Sequence, residues 1–229
     1  MHVLRRLALA AATTTFLATV AVGCAAPTED DGGTDGTESA ISNASATGLV
    51  YFHGMSGLGF SRPMILQQDS EDDVLAPRWS DSQLQAPPPR SVLDFLAGHE
   101  TATVSGYSLG RIPVLRLMKA AAPGITRVVM VDPTYDGSAD LGRTSGGPIT
   151  RAWLDGDPGR SFILVYGDTT KQLHGEMSYV TALSGHPRAE LCYLPGDHER
   201  FRRADMAGAL VAKDCADVIA RVGGTVARN

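Results

Sequence analysis

From Gly48 onward, short apolar runs alternate with amphipathic stretches along the chain. The runs over 48–53 (GLVYFH), 101–107 (TATVSGY), 126–132 (TRVVMVD), 161–166 (SFILVY) and 189–194 (AELCYL) predict five strands. They are continuous rather than alternating, as in strands covered on both faces, so the sheet they build is mostly parallel. Helices are predicted over 91–98, 108–122, 171–183 and 204–222. The last carries the clearest stripe: Ala207, Val211, Cys215, Val218 and Val222 recur at spacings of four, four, three and four. The connection over 55–89 is long, holds three consecutive prolines at 87–89, and reads as a loop with one short strand near Val74 and Leu75. The pattern is that of one α/β domain over 48–229, a mostly parallel sheet flanked by helices, minimal and without a large cap domain.

The first 47 residues do not fit this pattern. Residues 1–24 have a basic start (Arg5, Arg6), an apolar stretch from Leu7 to Val22 and a small-residue end, and read as a secretory signal peptide. The stretch is shorter than the roughly 20 residues of a spanning helix, which disfavours a retained transmembrane segment. Residues 25–47 contain almost no large apolar side chain and five acids, and are expected to form a disordered acidic linker.

Composition narrows the classes further. The 229 residues are 43% hydrophobic and 20% charged, enough for a sizeable core. The net charge is -5, the wrong sign for a protein that holds nucleic acid through its phosphates. Setting aside Arg5, Arg6 and the tail acids Glu29, Asp30, Asp31, Asp35 and Glu38 leaves 18 basic against 20 acidic residues, so the folded part is nearly neutral. No metal motif is present: the acidic cluster of Asp69, Glu71, Asp72 and Asp73 lacks the glycine and terminal Glu of a calcium loop and reads as solvated.

The strongest chemical signal is Gly106-Tyr107-Ser108-Leu109-Gly110, a G-x-S-x-G sequence entered by a predicted strand and left by a predicted helix. A serine on such a turn projects from the carboxyl edge of the sheet, and the flanking glycines avoid collision with neighbouring strands. Arg111 stands where a small residue is usual and Pro113 follows, so an irregular helix start is expected. His198, in Pro195-Gly196-Asp197-His198, follows the last predicted strand and can act as a base. His99, His174 and His186 read as surface or loop residues. Two carboxylates could orient the base: Asp132 at the end of one strand and Asp168 after the next. Each also has an ordinary role, as turn residue and as helix N-cap respectively.

These motifs resemble the α/β-hydrolase superfamily, in particular its small esterases and lipases, over essentially all of 48–223. The segment His53-Gly54-Met55-Ser56-Gly57 is similar to the family's HG-type oxyanion loop. The resemblance implies a catalytic set of Ser108, His198 and either Asp132 or Asp168, with Asp132 preferred, and an oxyanion hole built from the N–H groups of Met55 and Leu109. At the commoner position for the acid, three residues past Gly167, the chain has Thr170. The implied activity is hydrolysis of a carboxylic ester through an acyl-enzyme on Ser108, acting on a small ester or lipid without a cofactor; the alternative is a binding lipoprotein of the same fold without turnover. Ala21-Val22-Gly23-Cys24 resembles a bacterial lipobox, which implies export and a lipid anchor on Cys24 as the only membrane contact, with ordinary cleavage and secretion as the alternative.

Lipidation of Cys24 would leave Cys192 and Cys215 as a pair in an oxidising compartment. Cys192 lies about 10 Å back from its strand's end and Cys215 about 16 to 22 Å along a continuous helix from 204, beyond the roughly 7 Å of a bridge. Two buried free thiols are therefore expected.

Overall fold

The computed structural model describes residues 46–54, 60, 64–65, 72–77, 86–133, 141, 145–173, 178–223 and 227–228. The signal segment, the lipobox Cys24, nearly all of the linker, Met55, His174, and Asp69 and Glu71 of the acidic cluster lie outside them. The strands are β1 (Thr47–Phe52), β2 (Asp73–Leu75), β3 (Thr101–Tyr107), β4 (Ile125–Val131), β5 (Ser161–Tyr166), β6 (Ala189–Tyr193) and the two-residue β7 (Ala227–Arg228). Their order is β2-β1-β3-β4-β5-β6-β7. Every pairing is parallel except β6 with β7. The five strands expected from the apolar runs are all present, and the short strand near Val74 is the edge strand β2.

The continuous runs are explained by two cores, one on each face. Val50 and Phe52 of β1, Val128 and Met130 of β4, and Phe162 and Leu164 of β5 enter one core. Their alternating neighbours Leu49, Tyr51, Val129, Val131, Ile163 and Val165 enter the other. The first core is closed by α1 (Arg90–Ala97), α2 (Arg111–Lys119), α3 (Gly146–Asp155) and α5 (Ser178–Leu183). Of the helix expected over 171–183, the described residues show α4 (Asp168–Leu173), which already begins at Asp168, and α5 (Ser178–Leu183). Helix α3 was not marked by any sequence pattern.

The second core shows where the reading of 204–222 was wrong. This stretch is a 3₁₀ segment, Ala204–Val211, followed by a separate helix α6 (Cys215–Val222). In the 3₁₀ segment Met206, Ala207, Ala209, Leu210 and Val211 are all buried. Small residues let it lie directly on the sheet, where the Ser105 hydroxyl donates to the Leu210 carbonyl at 2.5 Å. Helix α6 then starts afresh: Asp214 caps it through the Asp217 N–H at 2.7 Å, and the Cys215 N–H donates to Glu190 of β6 at 2.8 Å. Every residue from Met206 to Val211 is buried, so burial in the 3₁₀ segment does not follow the four-residue period of the stripe, and the stripe could not locate the break.

The break also corrects the expectation of free thiols. Cys215 stands at the first position of α6, directly over β6, with its Cα 5.5 Å from that of Cys192, and the two form a disulfide. The estimate of 16 to 22 Å failed because it assumed one helix running from 204. Cys192 and Cys215 are 23 residues apart, so the bridge should contribute about 3 kcal/mol by restricting the unfolded chain. Urea unfolding with and without reductant should show a loss of that order, matched by Cys192→Ser/Cys215→Ser; equal midpoints would show that the bridge carries no stability.

Candidate active site

Strand order reverses at β1. The chain passes from β1 to β2 on one side, then crosses to β3 on the other; in open α/β sheets such a switch point marks the carboxyl edge at which ligands bind. Each residue singled out above follows one of these strand ends: His53 after β1, Ser108 after β3, Asp132 after β4, Asp168 after β5 and His198 after β6.

Ser108 sits on a sharp turn. Tyr107 is still extended, Ser108 has φ +54°, and Ser108–Gly110 form one 3₁₀ turn before α2 begins at Arg111. A side chain in this left-handed region is strained and is held there by its surroundings. The surroundings are backbone. A Cβ on Gly106 would lie 2.9 Å from the Gly110 carbonyl oxygen. A Cβ on Gly110 would overlap the Phe52 carbonyl and lie 2.9 Å from that of His53. The helix therefore starts irregularly, as Arg111 and Pro113 suggested; Arg111 is buried, and Pro113 falls in the first turn, where its missing N–H removes no helical bond. The Leu109 N–H lies at the head of this helix, where donors are free to meet an anion.

Of the two candidate carboxylates, the structure brings Asp132 to His198. Asp132 also has positive φ, +40°, and its fully buried side chain meets His198 Nδ1 through Oδ2. Its other oxygen, Oδ1, accepts from the Thr170 hydroxyl and from the Gly167 N–H at 3.2 Å. A buried carboxylate needs such donors. Thr170, at the commoner position for an acid in the resembled family, thus serves the acid on the neighbouring strand. Asp168 is used elsewhere, accepting from the Tyr193 hydroxyl and from the Gly196 N–H at 3.0 Å. His198 is further tied by its own backbone N–H, which donates to Thr169 Oγ1 at 3.0 Å.

Tyr107 is the contact that sequence reasoning missed, because the position before the serine in G-x-S-x-G carries no required residue. Its ring is stacked on His198 at 5.1 Å and 7°, and its hydroxyl is 3.2 Å from Nε2. With Nδ1–H donating to Asp132, Nε2 accepts and the tyrosine donates. Burial, then the charges of Asp132 and Glu199, push the Tyr107 phenol well above its ordinary range, so it is a neutral hydroxyl at working pH. Thr170 and Gly167 were equally unmarked as donors to the acid.

Among the described residues, the other histidines make structural contacts. His53 Nδ1 donates to the Gly54 carbonyl at 2.7 Å, fixing the turn after β1. His99 bridges the Phe95 carbonyl and Asp73, and His186 bridges Asp155 and the Arg188 N–H, so neither is a free surface residue. Asp72 and Asp73, expected in a solvated loop, instead meet Thr47 and His99 beside β1 and β2.

A parallel sheet that reverses order at β1, a strained serine turn after β3, and a histidine after β6 joined to an aspartate decide the architecture. The chain has an α/β-hydrolase fold. No protein-family model and no curated protein matches the sequence. Among solved structures, similar α/β-hydrolase chains include FphF, a fluorophosphonate-binding serine hydrolase of Staphylococcus aureus, at 12% identity and a TM-score of 0.47 over 78% of this chain and 84% of that one. The thioesterase domain of NocB, solved as a covalent complex with a fluorophosphonate nocardicin G analogue, is 15% identical with a TM-score of 0.43 over 79% and 96%. Est1E from Butyrivibrio proteoclasticus is 14% identical with a TM-score of 0.44 over 75% and 88%. Likeness at this level concerns the course of the chain, not its substrate.

The elbow's dependence on bare backbone can be checked directly. Gly110→Ala should destabilise the α/β-hydrolase domain by at least about 3 kcal/mol or prevent folding. Gly98→Ala, whose Cβ would meet nothing closer than 3.4 Å, should leave the thermal midpoint nearly unchanged. Equal midpoints for the two variants would remove the steric argument.

Proposed function

We propose that the protein is a serine hydrolase that cleaves a carboxylic ester through an acyl-enzyme on Ser108. The observation that carries this reading is the Asp132–His198 contact, with the His198 ring stacked on Tyr107, the residue that precedes a serine held at positive φ. In the proposed cycle His198 Nε2 takes the Ser108 proton as Oγ attacks the ester carbonyl, while Asp132 holds the Nδ1 proton and stabilises the imidazolium. The Leu109 N–H, together with that of Met55, would receive the developing oxyanion. His198 then returns the proton to the leaving alkoxide, and a water activated in the same way releases the acid and restores Ser108. Tyr107 donates to Nε2 in the resting state and must yield that nitrogen to Ser108 for the attack. The engagement of Asp132 with His198 favours turnover over a binding lipoprotein of the same fold.

We further propose that the chain is exported and anchored through Cys24, with the Cys192–Cys215 bridge in support, since such bridges persist in oxidising compartments.

Three measurements test these readings. A fluorophosphonate probe should label the folded protein and not Ser108→Ala, and a folded wild type that resists the probe would refute the nucleophile. Asp132→Asn should lower kcat on the order of 10⁴-fold, whereas Asp168→Asn, which keeps an acceptor for Tyr193, should cost less than about tenfold; the reverse ranking would transfer the role to Asp168. In a bacterial host Cys24→Ser should move the protein from the membrane to the soluble fraction, and an unchanged distribution would exclude the lipid anchor.

A further inference from the structure

The segment that follows His198 reads Glu199-Arg200-Phe201-Arg202-Arg203, and its first part folds into a 3₁₀ turn, Arg200–Arg202. With three residues per turn, one side chain faces inward and its two neighbours face away. Phe201 is the inward one: it is fully buried and packs against Gly167, whose N–H serves Asp132. The arginines are thereby held around a depression of about 430 Å³, lined by Asp197, Glu199, Arg200, Arg202 and Arg203. Asp197 and Glu199 flank His198 in sequence, so the depression is formed by the same stretch of chain that carries the proposed base. Its lining holds three cations and two anions, one positive charge in excess.

The three guanidinium groups are not equivalent. Arg200 packs on Gly196 and donates to the Pro195 carbonyl, which commits it to the turn that carries His198. Arg202 pairs with Glu199 at 2.8 Å, with side chains 43% and 63% exposed, and Arg203 pairs with Asp205 at 3.5 Å, both more than half exposed. Exposed pairs of this kind contribute little and open readily to a competing anion. The charges reach the site: Arg202 and Glu199 act in opposite senses on the Tyr107 hydroxyl, the group that meets His198 Nε2.

We infer that Arg202 and Arg203 bind an anionic group, a carboxylate or phosphate, carried by the ester substrate, so that the enzyme selects negatively charged soluble esters. The inference rests on the serine hydrolase reading above. A guanidinium recognises either group through paired N–H donors and repels a cation, while the Glu199 carboxylate competes for Arg202 and lowers the affinity for the anion.

The test compares mono-p-nitrophenyl glutarate with p-nitrophenyl pentanoate, esters of equal acyl length that differ in a terminal carboxylate. The wild type should favour the glutarate by about tenfold in kcat/KM, and added salt should erode the preference. Arg202→Gln/Arg203→Gln should abolish this preference chiefly by raising KM for the glutarate, while Glu199→Gln should strengthen it. A preference for pentanoate, or equal losses on both esters, would overturn the inference. A second readout does not need turnover: glutarate or inorganic phosphate should slow fluorophosphonate labelling of the wild type and not of the double arginine variant, and which of the two protects identifies the anion. Protection by phosphatidylglycerol vesicles with none by either soluble anion would point to a lipid surface and overturn it. Labelling without anion protection defeats this inference alone; absence of labelling defeats it together with the hydrolase reading.

Discussion

Gly110 lies so close to the end of β1 that the carbonyls of Phe52 and His53 occupy the space where a side chain would begin. This contact sets how steeply α2 leaves β3. It brings the head of the helix down onto the sheet edge, forces the preceding residue through the left-handed region, and leaves Ser108 as the residue at the bend. The strain at Ser108 persists because relaxing it would lift α2 from the core that Ile112, Leu115 and Met118 share with the strands.

The same economy of space governs the acid. Asp132 is fully buried at the end of the central strand β4, where a charge without partners would be unfavourable by several kcal/mol. Its partners come from neighbouring elements: Gly167 and Thr170 from the end of β5 and the start of α4, and His198 from beyond β6. Those elements are therefore locked to one another through a single carboxylate. The loop that carries the base is held from a second direction by Thr169, and from a third by the Tyr107 ring. Position and electrostatics have one origin here, since the donors that make the carboxylate tolerable also aim it.

Much of this was legible in the residues. Runs such as SFILVY mark doubly covered strands because each face needs its own apolar set, and the glycines around Ser108 are informative because only a crowded turn requires both. What escaped notice depended on long-range contact. Thr170 and Tyr107 are unremarkable until β4 and the His198 loop are placed beside them. Helix α3 opens with Gly146-Gly147-Pro148, residues that read as a turn, and is secured by packing of Trp153 and Leu154. The stripe through 204–222 was real, yet its residues belong to two segments with different rise per residue, and this moved Cys215 to a place that a uniform helix could not reach.

The bridge between Cys192 and Cys215 encloses the stretch that holds His198 and the arginines. That stretch is a covalent ring within the chain, and the proposed base never belongs to a free end. A protease cutting an exposed bond of the ring, such as one beside Arg203, would leave both cut ends attached, one through β6 and the other through α6. The nicked molecule would keep its mass until reduced. Any fall in activity on nicking would then report the displacement of His198 from Asp132, not the departure of the fragment that bears it.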